Sequence, residues 1–440
     1  MSTLRLSLVN FGMRVALLLI VTANALILAR TLGPDGFGQY FLFLRVASVL
    51  AVLADLGLSQ SANAFFGRYS EWRGSLHRII LRLVPLFWLG MILVGGITIW
   101  SVGDALLPHF PLLLTVLAFA ILPLLLYANL WNSMMIGMGY IVRVNLVQLV
   151  MCTLSLTLTI VFVVGLSGRV VAAAIIYLFT MFIQFLAMFI IAFRVSADDA
   201  ANEPPEKLSR QVLNFGLRGY IGSLSSLLWT RVLVFILNAT HGVVAVGIFS
   251  IAQQVIEKML LPVQAIQDVI YQKMSVLSPE RATVAMNRYL RLTWWSMLVI
   301  VLAGALLAPW VVVMILGESY VKTVTVARIL LIGSAFMGVS MLLDTYFINQ
   351  MHRPGLVSIL AWVNMLVGVI LALLFIPRLG ETGTAWAQAL TYIAGTLIYL
   401  GIYLRISGTK LKQLLFIHNG DVVLIREQVA SMLRWRESRG

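Results

Sequence analysis

The sequence predicts an all-α, polytopic membrane protein with 12 transmembrane helices in two parallel six-helix lobes, related by a pseudo-twofold axis along the membrane normal. Three observations carry that expectation. Of the 440 residues, 61% are hydrophobic and 11% charged, and the mean hydropathy is +0.98, whereas soluble domains carry about 25% charged residues. Twelve apolar windows each reach the roughly 20 residues that cross a hydrocarbon layer of about 30 Å. Fragments of the first half recur, in order, in the second.

At the first window, residues 9 to 29, Arg5 and Arg14 precede an apolar run that ends near Ala23-Asn24-Ala25, as in a secretory leader. A second apolar run follows at once, so the first is read as a transmembrane helix. The turn between them is Ala29-Arg30-Thr31-Leu32-Gly33-Pro34-Asp35-Gly36-Phe37-Gly38-Gln39-Tyr40. Gly33 closes the first helix, Pro34 cannot continue it, and Asp35 caps the second, with Gly36 and Gly38 as further turn residues. The remaining windows fall at 38 to 65, 80 to 100, 110 to 137, 144 to 165 and 170 to 193, then at 212 to 237, 243 to 271, 290 to 315, 324 to 349, 355 to 376 and 383 to 404.

Between the sixth and seventh windows, residues 196–210 collect Asp198, Asp199, Glu203, Pro204, Pro205, Glu206 and Lys207, a solvated linker. The predicted organisation is therefore an N-terminal lobe, 1–195, the cytoplasmic linker, a C-terminal lobe, 211–404, and a tail, 405–440. The tail interleaves Lys410, Lys412, Arg426, Arg434, Arg436 and Arg439 with apolar residues, the pattern of an amphipathic segment lying on an anionic membrane surface. Alternate loops hold Lys and Arg in a ratio of 21 to 4, which places both termini and the linker in the cytoplasm. The net charge of +14 thus follows from topology, with no nucleic-acid partner implied. Lone Cys152, inside an apolar run, reads as a small core residue.

The duplication rests on three matches. Asn10-Phe11-Gly12-Met13-Arg14 is echoed by Asn214-Phe215-Gly216-Leu217-Arg218; Gly33, Gly38 and Tyr40 by Gly242, Gly247 and Phe249; and Gly168-Arg169 by Gly380-Glu381. Six spans per half make the repeat parallel. Because the echo of the opening turn keeps the glycines and loses Arg30 and Asp35, the turn reads as a hinge.

Charged residues inside spans are costly and gather at bundle interiors or wet cavities. Here they select the same helices in both halves: Arg14 on the first, Arg45 and Asp55 on the second, Arg218 and Arg231 on the seventh, and Glu257, Lys258 and Asp268 on the eighth, with Arg328 and Asp344 on the tenth. Helices one, two, seven and eight are expected to line a shared aqueous cavity between the lobes. Each arginine has two readings, as a paired packing residue or as a substrate contact. The cationic excess suits an anionic substrate such as a phosphate or pyrophosphate, with Arg14, Arg45, Arg218, Arg231 and Lys258 as its ligands. Asp55, Glu257 and Asp268 read either as partners of a neighbouring arginine or as sites coupling transport to H+ or Na+. No catalytic constellation, metal-ligand spacing or phosphate loop is present, so no enzyme activity, cofactor or metal is expected.

With its twelve spans in two halves, the turn at 29 to 40, and charges on helices one, two, seven and eight, the chain resembles the polysaccharide transporter family. That family of O-antigen-type flippases lies within the multidrug, oligosaccharidyl-lipid and polysaccharide exporter superfamily. The resemblance covers residues 5 to 404. It implies alternating access and a polyprenyl-pyrophosphate-linked oligosaccharide moved across a bacterial inner membrane for surface polysaccharide such as lipopolysaccharide, with membrane lipids and other polysaccharide assembly proteins as partners. Two alternatives stand beside it: a multidrug cation antiporter of the same superfamily, which the cationic excess opposes, and a membrane glycan ligase or polymerase, which the short outward loops oppose.

Overall fold

A computed structural model describes residues 3–108, 110–197, 208–274 and 277–416. Residues 198–207 of the predicted linker and the tail from 417 onward lie outside the described residues. Every regular element among the described residues is helical: α1 (Thr3–Asp55), α2 (Leu58–Arg68), α3 (Arg73–Leu106), α4 (Leu112–Gly137), α5 (Ile141–Leu158), α6 (Val170–Ala197), α7 (Leu208–Met259), α8 (Leu261–Met274), α9 (Pro279–Leu316), α10 (Val321–Asn349), α11 (Pro354–Ser407) and α12 (Leu411–Leu415). Nine helical stretches among the described residues are long and apolar enough to cross a membrane.

Three of those stretches are double. At 1.5 Å per residue the 53 residues of α1 would reach about 80 Å, more than twice a hydrocarbon layer. The chain breaks at Gly33, where φ is 67°. α7 breaks likewise at Gly242 (φ 76°) and α11 at Gly380 (φ 59°). Divided at those glycines, the nine stretches become the twelve predicted spans, and the protein is a multi-pass membrane protein.

Two of the predicted spans are interrupted. The run 38 to 65 breaks at Leu56 and Gly57, both in left-handed conformation (φ 44° and 81°), so that its last part becomes α2. The run 243 to 271 breaks at Leu260, two residues before Pro262, which has no N–H to continue the ladder.

The chain forms two compact units. One comprises Met1–Ile251, Val312–Lys322 and Ile376–Glu381; the other Ala252–Val311, Thr323–Phe375 and Thr382–Gly440. In the first, α4 packs against α2 and α6, and α1 against α4 and α5. The fully buried Trp131 of α4 anchors this packing, 5.2 Å from the ring of Phe185 on α6. The second unit is built on α10, whose Leu342, Leu343 and Phe347 pack with Met286 and Met297 of α9 and Tyr403 of α11. There the Gln267 amide of α8 donates to the Met341 carbonyl at 3.0 Å, and the Tyr403 hydroxyl to Asn287 at 2.6 Å. In lipid, where apolar burial drives little association, such close packing and interhelical bonds are what join helices.

Candidate functional site

The two hairpins of the first unit meet through their glycines. Gly33 (φ 67°, ψ 178°) and Gly242 (φ 76°, ψ −176°) adopt nearly the same conformation, in a region open essentially to glycine alone. Each break is followed by a glycine that admits the other chain: a Cβ on Gly38 would lie 1.9 Å from the Val243 carbonyl oxygen, and one on Gly247 1.9 Å from that of Pro34. The contact is reciprocal, backbone against backbone. Pro34 opens the second arm of α1, where a missing N–H is no loss, and Gly36 sits 3.0 Å from the Leu32 Cβ, measured to the Cβ it would carry.

A second close approach joins the end of the second arm of α1 to the first arm of α7. A Cβ on Gly57 would lie 2.1 Å from the Gly216 carbonyl oxygen. Around it the Tyr220 hydroxyl donates to the Val52 carbonyl at 3.1 Å and the Ser61 hydroxyl to that of Val212 at 2.7 Å.

Between these contacts lies a polar cluster. Arg231, on the first arm of α7, donates through Nε to the Ser48 hydroxyl at 3.2 Å, and Ser48 donates to the Arg45 carbonyl at 3.0 Å. The Arg45 guanidinium stacks on Phe41, one turn earlier, at 4.4 Å from the ring centroid. Both arginines are half-buried. The structure thus brings together two of the predicted cationic residues, one from each half of the repeat. By helical spacing alone Ser48 shares a face with Arg45; its bond to Arg231 is a tertiary fact.

The other predicted residues are distributed differently. Arg14 and Arg218, equivalent in the repeat, are both exposed. Two polar residues from the face of Arg14 turn to α5: the Asn145 amide donates to the Asn10 side-chain oxygen, and the Asn24 amide to the Ser155 hydroxyl at 3.4 Å. Asp55 accepts the Ser59 hydroxyl at 2.5 Å and the Ser59 N–H at 3.3 Å, so its carboxylate caps the first turn of α2. Lys258 is half-buried and Glu257 exposed; both belong to the second unit. Asp268 lies on α8, and its side chain is outside the described residues. Arg328 is exposed and donates to the Ala305 carbonyl at 3.0 Å, while Asp344 takes a hydrogen bond from Tyr399, a partner no sequence spacing indicates. No group of three His, Cys, Asp or Glu that could hold a metal occurs among the described residues.

The sequence matches the model of a family described as polysaccharide biosynthesis protein over residues 6–271. No curated protein matches it. Among solved structures, it is similar to an inward-facing multidrug resistance MATE family transporter of the MOP superfamily, with 18% identity, a TM-score of 0.71, and coverage of 91% of this chain and 98% of the other. The outward-facing conformation of such a transporter gives 18% identity, a TM-score of 0.57, and coverage of 89% and 96%. A MOP superfamily transporter from Pyrococcus furiosus with a binding pocket of reverse polarity gives 18% identity, a TM-score of 0.59, and coverage of 91% and 93%. With the family model spanning more than half its length and these matches along its fold, the chain belongs to the polysaccharide biosynthesis protein family and has the fold of MOP superfamily transporters.

Proposed function

We propose that this protein is a flippase that carries a polyprenyl-pyrophosphate-linked oligosaccharide across the bacterial inner membrane by alternating access, for surface polysaccharide assembly. The observation that carries the reading is the Arg45, Ser48 and Arg231 cluster, which sets two guanidinium-bearing residues within membrane-spanning helices. Guanidinium groups bind phosphate oxygens through paired donors, so such a site suits a pyrophosphate. It opposes a cationic drug, which would meet like charge. The family match to polysaccharide biosynthesis supports the same choice.

In this reading Arg14, Arg218 and Lys258 are further cationic contacts, and Glu257 and Asp268 are candidate H+ or Na+ sites. Both termini lie in the cytoplasm. Deleting the gene should leave polyprenyl-linked repeat units in the cytoplasmic leaflet and strip the surface glycan, with recovery on complementation by the wild-type gene. An intact surface glycan in the deletion strain, with altered drug susceptibility, would overturn the assignment in favour of a multidrug antiporter.

A further inference from the structure

An apolar cleft in the first unit adjoins the arginine cluster. Its volume is about 360 Å³, and its walls come from the second arm of α1, the C-terminal half of α3 and the first arm of α7, with Val49, Leu53, Val94, Leu106 and Phe235 among the lining residues. Gly95 lets α3 approach closely enough that a Cβ there would meet Leu50 at 2.8 Å. The one hydroxyl in the wall, that of Thr98, is already donated to the Val94 carbonyl of its own helix at 2.8 Å. None of the lining side chains offers a free hydrogen-bond donor, so the walls suit hydrocarbon. Val94 and Leu106 are 56% and 40% exposed, and the cleft is open along that side.

Helical spacing ties the cleft to the cluster. Val49 lies four residues after Arg45, and Phe235 four residues after Arg231, so each arginine stands one turn from a cleft residue on its own helix face. The Ser48–Arg231 bond holds the two helices at that level. An amphipathic anion with its charged group at the arginines would therefore direct a chain into the cleft.

We infer that the cleft receives the segment of the polyprenyl tail next to the pyrophosphate, in a substrate whose class rests on the function proposed above. At the roughly 30 Å³ that a small group occupies in a liquid, it holds on the order of ten carbon atoms, about two isoprene units. The cleft selects tail shape more than it adds affinity, because a tail in a bilayer is already in hydrocarbon.

The test uses the full-length protein in proteoliposomes, with a benzophenone side chain at exposed Thr98 and a labelled long-chain polyprenyl pyrophosphate as the probe. Polyprenyl should be captured at least about fivefold above its mole fraction among the phospholipids, and Arg231→Gln should lower the excess. Capture in proportion to mole fraction would overturn the inference. In cells, Thr98→Trp should narrow the preference for long-tailed over short-tailed lipid-linked glycans by about fivefold. An unchanged preference, in a protein that still exports glycan, would refute the cleft assignment and leave the flippase reading standing. If the wild-type protein moves no lipid-linked glycan, the flippase reading falls, and the capture measurement still decides whether polyprenyl occupies the cleft.

Discussion

In α1 the break at Gly33 is followed by Pro34 and Asp35; in α7 the break at Gly242 is followed by Val243 and Val244. The φ and ψ of the two glycines nevertheless agree within about 10°, and Gly38 and Gly247 each admit the other hairpin's carbonyl at the same 1.9 Å Cβ separation. Tyr40 and Phe249, the aromatics that follow, are both buried. One turn further the likeness ends: α1 carries Arg45 and Ser48, while the corresponding stretch of α7 carries Gln254 and Glu257. The duplicated part is what the backbone needs in order to bend and cross, and the part that has diverged is the chemistry along the arms. A crossing of two backbones accepts only glycine, whereas a residue facing a cavity is constrained by its ligand.

The strongest test of this likeness is at the crossing. Gly38→Val and Gly247→Val each force a side chain into a backbone carbonyl that cannot retreat, and each should destabilise the protein by about 3 kcal/mol or more. Thermal unfolding of the detergent-solubilised variants, with folded yield as a second readout, would show it. Equal losses are expected. A large loss at one glycine and none at the other would mean that the crossing is not reciprocal.

Next in size are Gly33→Ala and Gly242→Ala. An alanine at φ near +70° with ψ near 180° is strained by about 1–3 kcal/mol, and because the two conformations match, the two shifts in unfolding temperature should match as well. Pro34 gives α1 a pre-set φ that Val243 lacks. A smaller loss for Gly33→Ala than for Gly242→Ala would therefore credit the proline with holding the bend.

These glycines were legible in the sequence because a bend between two spans leaves a local signature: Gly33 before Pro34, and the same spacing at Gly242 and Gly247. The twelve spans were legible for a similar reason, since hydropathy is read residue by residue. The break at Leu56 leaves no such mark, because it interrupts an apolar run without changing its composition, whereas Pro262 marks the one at Leu260. The cationic site was legible only as a set of helices. Helical spacing sets Asn10, Arg14 and Asn24 on one face and says nothing of what that face meets: two of the three bond to α5, and the link from Arg231 to Ser48 joins residues 183 positions apart. The cap that Asp55 supplies to α2 was hidden because α2 itself was read as part of a longer helix.

The diverged chemistry is tested at Ser48. Ser48→Ala removes the acceptor of the Arg231 bond while leaving the crossing glycines intact, and an interhelical hydrogen bond in a membrane is worth about 0.6 kcal/mol, rarely more than 2. The unfolding temperature should therefore move little, far less than for Gly38→Val. Export should fall further than stability does, because the bond fixes the position of a guanidinium group that the transported anion would meet, and a misplaced charged donor loses binding out of proportion to the energy of its tether. Ser48→Thr keeps the hydroxyl and should restore export. If Ser48→Ala and Ser48→Thr export glycan equally well at equal membrane abundance, the bond between the two hairpins serves packing alone, and the arginines reach the anion, if they reach it, by their own flexibility.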